Sequence, residues 1–193
     1  MHRLSSSFAL GYHGCDKSVL AKVLSGIEFQ PSDNDYDWLG PGIYFWEANP
    51  IRGLEYAKEL MGLTRGPNIV NPAVVGAVID LGLCLDLTTS AGVQHVRSAY
   101  GHLVEITMKA GSVLPKNNPN LLTRNLDCAV IRLLHDIRQD ANETPVDTVR
   151  GVFLEGTPIY DDSGFYAKTH IQICVRNSAC IKGIFRVPDH QMS

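Results

Sequence analysis

The chain has 193 residues, and 17 Lys and Arg against 20 Asp and Glu leave a net charge of −3 with a pI near 6.1. That length fits a single domain over residues 1–193 with its own core. Ordinary apolar content excludes a disordered chain, no apolar run reaches the roughly 18 residues of a membrane span, and the acidic balance argues against a large nucleic-acid footprint.

The N-terminal stretch MHRLSSSFALGYHG has a broken apolar patch and no leader core, so it reads as mature sequence. Phe8 to Tyr12 reads as a strand ending at His13-Gly14. Asp16 is placed to cap a helix running to Leu24, with Gly26 stopping it. Residues 28–41 are turn-rich and form a long loop, a length that in a compact domain points to function. A strand over Ile43 to Trp46 follows. Asn49-Pro50 then opens a helix with Ile51, Leu54, Ala57 and Met61 as its apolar stripe. Ala73 to Leu81 reads as a buried strand. Residues 89–110 read as a helix with Val93, Val96 and Tyr100 on one face, and residues 115–120 as a loop. Leu121 to Arg138 is the strongest helix, with Leu122, Leu126, Ala129, Val130, Leu133 and Ile137 on one side. Three strands close the chain, at Arg150 to Leu154, Lys168 to Val175 and Ile181 to Val187, with a loop over 156–167. Short mixed elements punctuated by Gly and Pro predict an α+β fold.

The five cysteines, Cys15, Cys84, Cys128, Cys174 and Cys180, are odd in number and widely spaced, without C-x-x-C. That pattern predicts neither a disulfide framework nor a zinc site, but buried thiols in a reducing cytoplasm. Cys15 near His13 suggests a thiol nucleophile pair, which strand alternation sets aside on the reading that the two side chains point to opposite faces.

Four segments can carry chemistry. Tyr12-His13-Gly14-Cys15 puts an imidazole and a close-approach backbone at a strand end; a lone His there also reads as structural. Gly40-Pro41-Gly42-Ile43-Tyr44-Phe45 frames an aromatic with glycines, which suits stacking on a planar ligand and equally suits core packing. Tyr56 sits at the edge of a helical apolar stripe. In Lys168 to Val175, alternation gives Ile171, Ile173 and Val175 one face and His170, Gln172 and Cys174 the other, which meets either solvent or a lined cleft.

Taken in order, His13-Gly14, Gly42-Ile43-Tyr44-Phe45 and Tyr56 resemble the NAD-binding half of the ADP-ribosyltransferase superfamily, in its diphtheria-toxin-like and poly(ADP-ribose)-polymerase-like branch. The resemblance covers residues 8–58 and, more weakly, 168–187. It implies a split, mostly antiparallel β core with peripheral helices, and NAD as substrate in a cleft between two sheets. It implies that His13 bonds the adenosine ribose. The Gly14 backbone would hold the nicotinamide carboxamide, with Tyr44 and Tyr56 sandwiching the ring. The family's late-strand Glu falls on Gln172, which can bond a ribose hydroxyl but cannot act as a base. Mono-ADP-ribosyl transfer to a protein or nucleic-acid acceptor is therefore expected. The small format suggests a bacterial toxin or effector, with an antitoxin or immunity protein as a partner and no membrane association. A binding module without turnover and an NAD glycohydrolase are the alternatives.

Glu155, at a strand end before Gly156, is a candidate compensating carboxylate and also reads as a solvated turn residue. Asp35, Asp37 and Glu47 flank the expected cleft, where they could orient an acceptor, but they read first as solvated residues; Lys168 and His170 are candidate phosphate or acceptor contacts. No partner at ligand spacing makes His170 a metal ligand. Arg124, Arg132, Arg138 and Arg150 are weighed as a local basic face for nucleic acid.

Overall fold

The first strand, β1 (Phe8–Asp16), pairs antiparallel over its whole length with β3 (Pro72–Asp80). The computed structural model describes residues 8–63, 66–119 and 122–192. Much of the leader reading, the expected loop end Asn120 and the expected helix start Leu121 lie outside those residues. The other elements are α1 (Lys17–Leu24), β2 (Ile43–Glu47), α2 (Pro50–Glu59), β4 (Cys84–Asp86), α3 (Ser90–Lys109), α4 (Asn125–Asp140), β5 (Thr148–Phe153), β6 (His170–Val175) and β7 (Ile181–Arg186).

The strands form one seven-stranded sheet in the order β4-β5-β6-β2-β1-β3-β7, antiparallel throughout except for β4 against β5; the two sheets that the resemblance implies are joined into one because β2 pairs with both β1 and β6. With its helices peripheral, this is an α+β fold. Among the described residues no helix is long and apolar enough to cross a membrane. All five cysteines are free thiols, and only Cys84 is more than slightly exposed.

Period-two alternation splits the sheet into two packed faces. Phe45, Val75, Ile79, Ile173 and Val175 point one way and meet Leu20 and Val23 of α1 together with Phe29. Val149 and Cys174 point the other way and, with Leu39 of the loop before β2, meet Val130, Ile131 and Leu134 of α4. Each fully buried Leu, Ile or Val here contributes about 1.5–3 kcal/mol, so both faces hold the sheet in place.

The helix starts follow their sequence signals. Asp16 caps α1 by accepting from Ser18 N–H at 2.8 Å, and its second oxygen accepts from Val70 and Asn71 N–H. These three bonds pull its carboxyl well below the usual carboxylate range. Gly26 follows α1 at φ 94°, the left-handed position where a side chain would be strained. Asn49 caps α2 through Arg52 N–H, with Pro50 in its first turn.

Several expectations are corrected. β1 runs through His13 and Gly14 to Asp16, because β3 pairs with all nine of its residues. The buried side of α2 is Arg52, Gly53 and Ala57, while Ile51 and Met61 are exposed. A buried ion pair and a close backbone approach, both described below, turn that helix. In α4 the buried residues are Cys128, Val130, Ile131, Leu134 and His135, while Ile137 is exposed and Leu122 lies exposed ahead of the helix. The helix also begins later than expected, at Asn125, without a side-chain cap. The three-residue strand β4 carries too little pattern to be read from sequence.

Candidate functional site

β1 and β2 pair at only two positions, Gly11 with Glu47 and Tyr12 with Trp46. The Ala48 N–H donates to the Leu10 carbonyl, so the even-numbered residues of β1 turn their backbone groups toward β2. By this alternation Gly14 directs its N–H and C=O toward β2 at a point where the ladder has stopped. Its expected opposite is Tyr44. The carbonyl of Tyr44 instead accepts from His13 Nδ1 at 2.8 Å. An imidazole has taken the place of a strand bond, and the sheet opens into a seam with Gly14 on one lip and Tyr44 on the other.

The geometry fixes the histidine's tautomer. A carbonyl only accepts, so Nδ1 carries the proton and Nε2 presents a lone pair. Burial lowers the imidazole's pKa below its usual value, while the bond to Tyr44 works the other way. The ring packs edge-on to Phe29 and tilted against Phe45. His13 therefore leans to the α1 face of the sheet.

Cys15 lies two residues along the strand and shares that face, which corrects the expectation of opposite faces. The pair still does not make an activated thiol, because burial pushes Cys15 up to about 11.

Gly14 also touches α2. A Cβ at this position would fall onto the Gly53 carbonyl oxygen, so glycine lets α2 lie directly on β1. This approach carries Tyr56 over the sheet, where its ring sits 4.7 Å from that of Trp46. Burial raises the Tyr56 hydroxyl to about 12.

Tyr44 is more enclosed. Its O–H donates to the Gly40 carbonyl at 2.8 Å and accepts from Leu39 N–H at 3.0 Å. It thus ties the end of the 28–41 loop to β2. Tyr44, Trp46, Tyr56 and Gly14 lie on the face opposite His13.

Gln172 belongs to the same face. It pairs with Trp46 of β2 on one side and Gly151 of β5 on the other. Its Oε1 accepts from the Trp38 indole N–H at 2.6 Å. An indole nitrogen can only donate, so this bond fixes the amide and leaves the NH2 group outward. Gly151 makes room for the indole, since a Cβ there would stand 2.8 Å from Trp38 Cη2. Trp38 came from the loop, where its aromatic character was the available signal.

Glu155 is held elsewhere. Arg52, only 3% exposed, reaches both of its carboxylate oxygens from Nη2 at 2.9 Å. Arg52 also bonds Glu59, which pairs with Lys168 at 2.7 Å. The expected compensating carboxylate is therefore half of a buried ion pair between α2 and the end of β5. Nothing in the sequence spacing joins Arg52 to Glu155, 103 residues away.

The remaining candidates are spread out. Asp37 accepts from the Ser32 hydroxyl at 2.6 Å and from Asn34 N–H, which shapes the loop. Asp35 is exposed in the same loop. Glu47 accepts from Arg150 at 2.6 Å. His170 is buried, with Nδ1 on the Lys168 carbonyl, and stacks on Phe153. The four arginines weighed as a basic face are each paired, Arg124 with Asp127, Arg132 with Asp33, Arg138 with Glu143, and Arg150 with Glu47 and Asp86. Their charge is spent within the fold.

No protein-family model and no solved structure matches this chain. It is 47% identical over 36 residues to an uncharacterized protein of Methanocaldococcus jannaschii, a stretch covering 19% of this chain and 17% of that protein.

Proposed function

We propose that the seam between β1 and β2 binds NAD and that the chain transfers a single ADP-ribose to a macromolecular acceptor, protein or nucleic acid. The observation that supports this most is the backbone of Gly14. Its N–H and C=O face the seam side by side, a donor and an acceptor matching the two polar atoms of a carboxamide. Tyr44, Tyr56 and Gln172 lie on the same face, whereas His13 lies on the other, so its Nε2 accepts from a ribose hydroxyl only where the ligand passes through the seam. On this reading nicotinamide departs from C1′ of the ribose with the electron pair of the glycosidic bond. An acceptor atom then bonds to C1′ and gives up its proton. The protein orients the two partners and shields the oxocarbenium-like state from water.

Gln172 is neutral, so it positions the ribose and takes no proton. This favours one transfer onto a group that is already nucleophilic over chain elongation. Trp38 covers Gln172, so NAD entry requires residues 36–39 to lift. We assign the chain to the cytoplasm of the producing or target cell, as a toxin or effector with an antitoxin or immunity partner. Arg52's hold on Glu155 favours a second reading, an NAD or ADP-ribose binding module without turnover, because it leaves no free carboxylate beside the seam.

The test uses NAD labelled on the adenylate, a lysate split into protein, RNA and DNA, and a parallel count of free nicotinamide. Label in one fraction with matching nicotinamide supports transfer and names the acceptor class. Nicotinamide without label means hydrolysis. NAD binding with neither signal means the binding module.

A further inference from the structure

A cavity of about 370 Å3 opens between α3 and α4, and none of its walls belongs to His13, Gly14, Tyr44, Tyr56 or Gln172. Its floor is Val130 and Ile131, both buried. One wall is the Trp38 ring, with the Arg124 guanidinium 4.9 Å from that ring's centroid. The rim is α3, where Val93, Arg97 and Tyr100 are exposed. The helical periodicity that gave Val93, Val96 and Tyr100 one apolar face is therefore real, but that face lines an open space.

We propose that this cavity is a binding site for a small planar aromatic monoanion. The volume lies at the lower end of the roughly 300–1,000 Å3 of small-molecule sites. An apolar floor between two aromatic side chains suits a flat ring system. The charge is set by two arginines against one carboxylate. Arg124 is balanced by Asp127 at 3.6 Å, whereas Arg97 has no carboxylate paired with it among the described residues. A ligand seated on the floor would bring its anionic group to Arg97 at the rim. The site stands independently of NAD use, although Trp38 gives it a wall in common with the Gln172 bond.

The experiment is calorimetric titration of the full chain with 2-naphthoate and with its neutral counterpart 2-naphthamide. Saturable one-to-one binding of naphthoate, at least severalfold tighter than naphthamide, is expected. Arg97→Gln changes an exposed side chain and should weaken naphthoate about fivefold, the scale of an exposed charge pair, while leaving naphthamide unchanged. Val96→Trp fills the space and should remove both. No binding of naphthoate to the wild type, equal affinity for the two probes, or affinities that ignore both variants would each overturn the proposal. Thermal melts confirm that the variants remain folded.

Discussion

The buried guanidinium of Arg52 decides what Glu155 can do. Two buried or half-buried charges at 2.9 Å stabilise each other, and Glu59 at 3.1 Å remains as a second counter-charge to Arg52 when Glu155 is neutralised. Breaking such a pair costs about 3–5 kcal/mol. With Glu59 still beside Arg52, Glu155→Gln is expected to lower stability by less, about 1–2 kcal/mol in a denaturant titration. Its effect on any NAD-dependent activity should follow the folded fraction; a loss of turnover in a fully stable variant would return Glu155 to the chemistry.

A second residue-scale consequence concerns acid. His135 is buried on α4 with neither ring nitrogen bonded, and burial, then the charges of Arg176 and Arg138, lowers it to about 3. The unfolded chain takes up this proton near pH 6.5 and the folded chain does not. Stability is therefore complete above about 6.5 and is lost as pH falls toward 3, by on the order of 2–3 kcal/mol at pH 4. His135→Phe should flatten the fall in melting temperature between pH 6.5 and 4; an unchanged slope would mean His135 titrates normally. Sequence reading did not single out His135, because a histidine inside an amphipathic helix carries no mark of its burial.

At the scale of elements, the seam depends on α2 resting against β1. Gly14→Ala would push a methyl group into the Gly53 carbonyl, and the helix must shift to admit it. Overpacking of this kind costs about 1–3 kcal/mol, and it would move Tyr56 away from Trp46. Gly14→Ala should therefore lower the melting temperature and change tryptophan emission, whereas Gly101→Ala, with open space around it on α3, should do neither. Equal melts for the two variants would show that α2 does not rest on Gly14.

This element pair also marks how far the sequence could be read. Asn49-Pro50 located the start of α2 through its cap. The face that α2 buries was not legible, since Arg52 is buried by a partner distant in sequence. That residues 28–41 form a loop was legible from their length and turn composition. That its Trp38 reaches Gln172 depends on Gly151, whose role appears only once β5 and β6 lie side by side.

For the molecule as a whole, the α+β class followed from short alternating runs and Gly-Pro punctuation, because local patterns carry period and turn chemistry. Strand order did not follow, since it is set by long-range pairing. β6 lies between β2 and β5 although 122 residues separate β6 from β2, counting from Glu47 to His170. This placement is what brings Gln172 beside Trp46 and onto the face of Tyr44 and Tyr56.

In the proposed reading the seam between β1 and β2 holds NAD. Calorimetric titration of NAD into the wild type, Tyr56→Ala and Gln172→Ala tests it most directly. Tyr56→Ala removes a half-buried ring from the surface of α2, and Gln172→Ala removes only the amide. The predicted result is saturable binding to the wild type that weakens by at least tenfold in Tyr56→Ala, about 1.4 kcal/mol, and measurably in Gln172→Ala. Absence of binding up to millimolar NAD, or affinities identical in all three proteins, would contradict it.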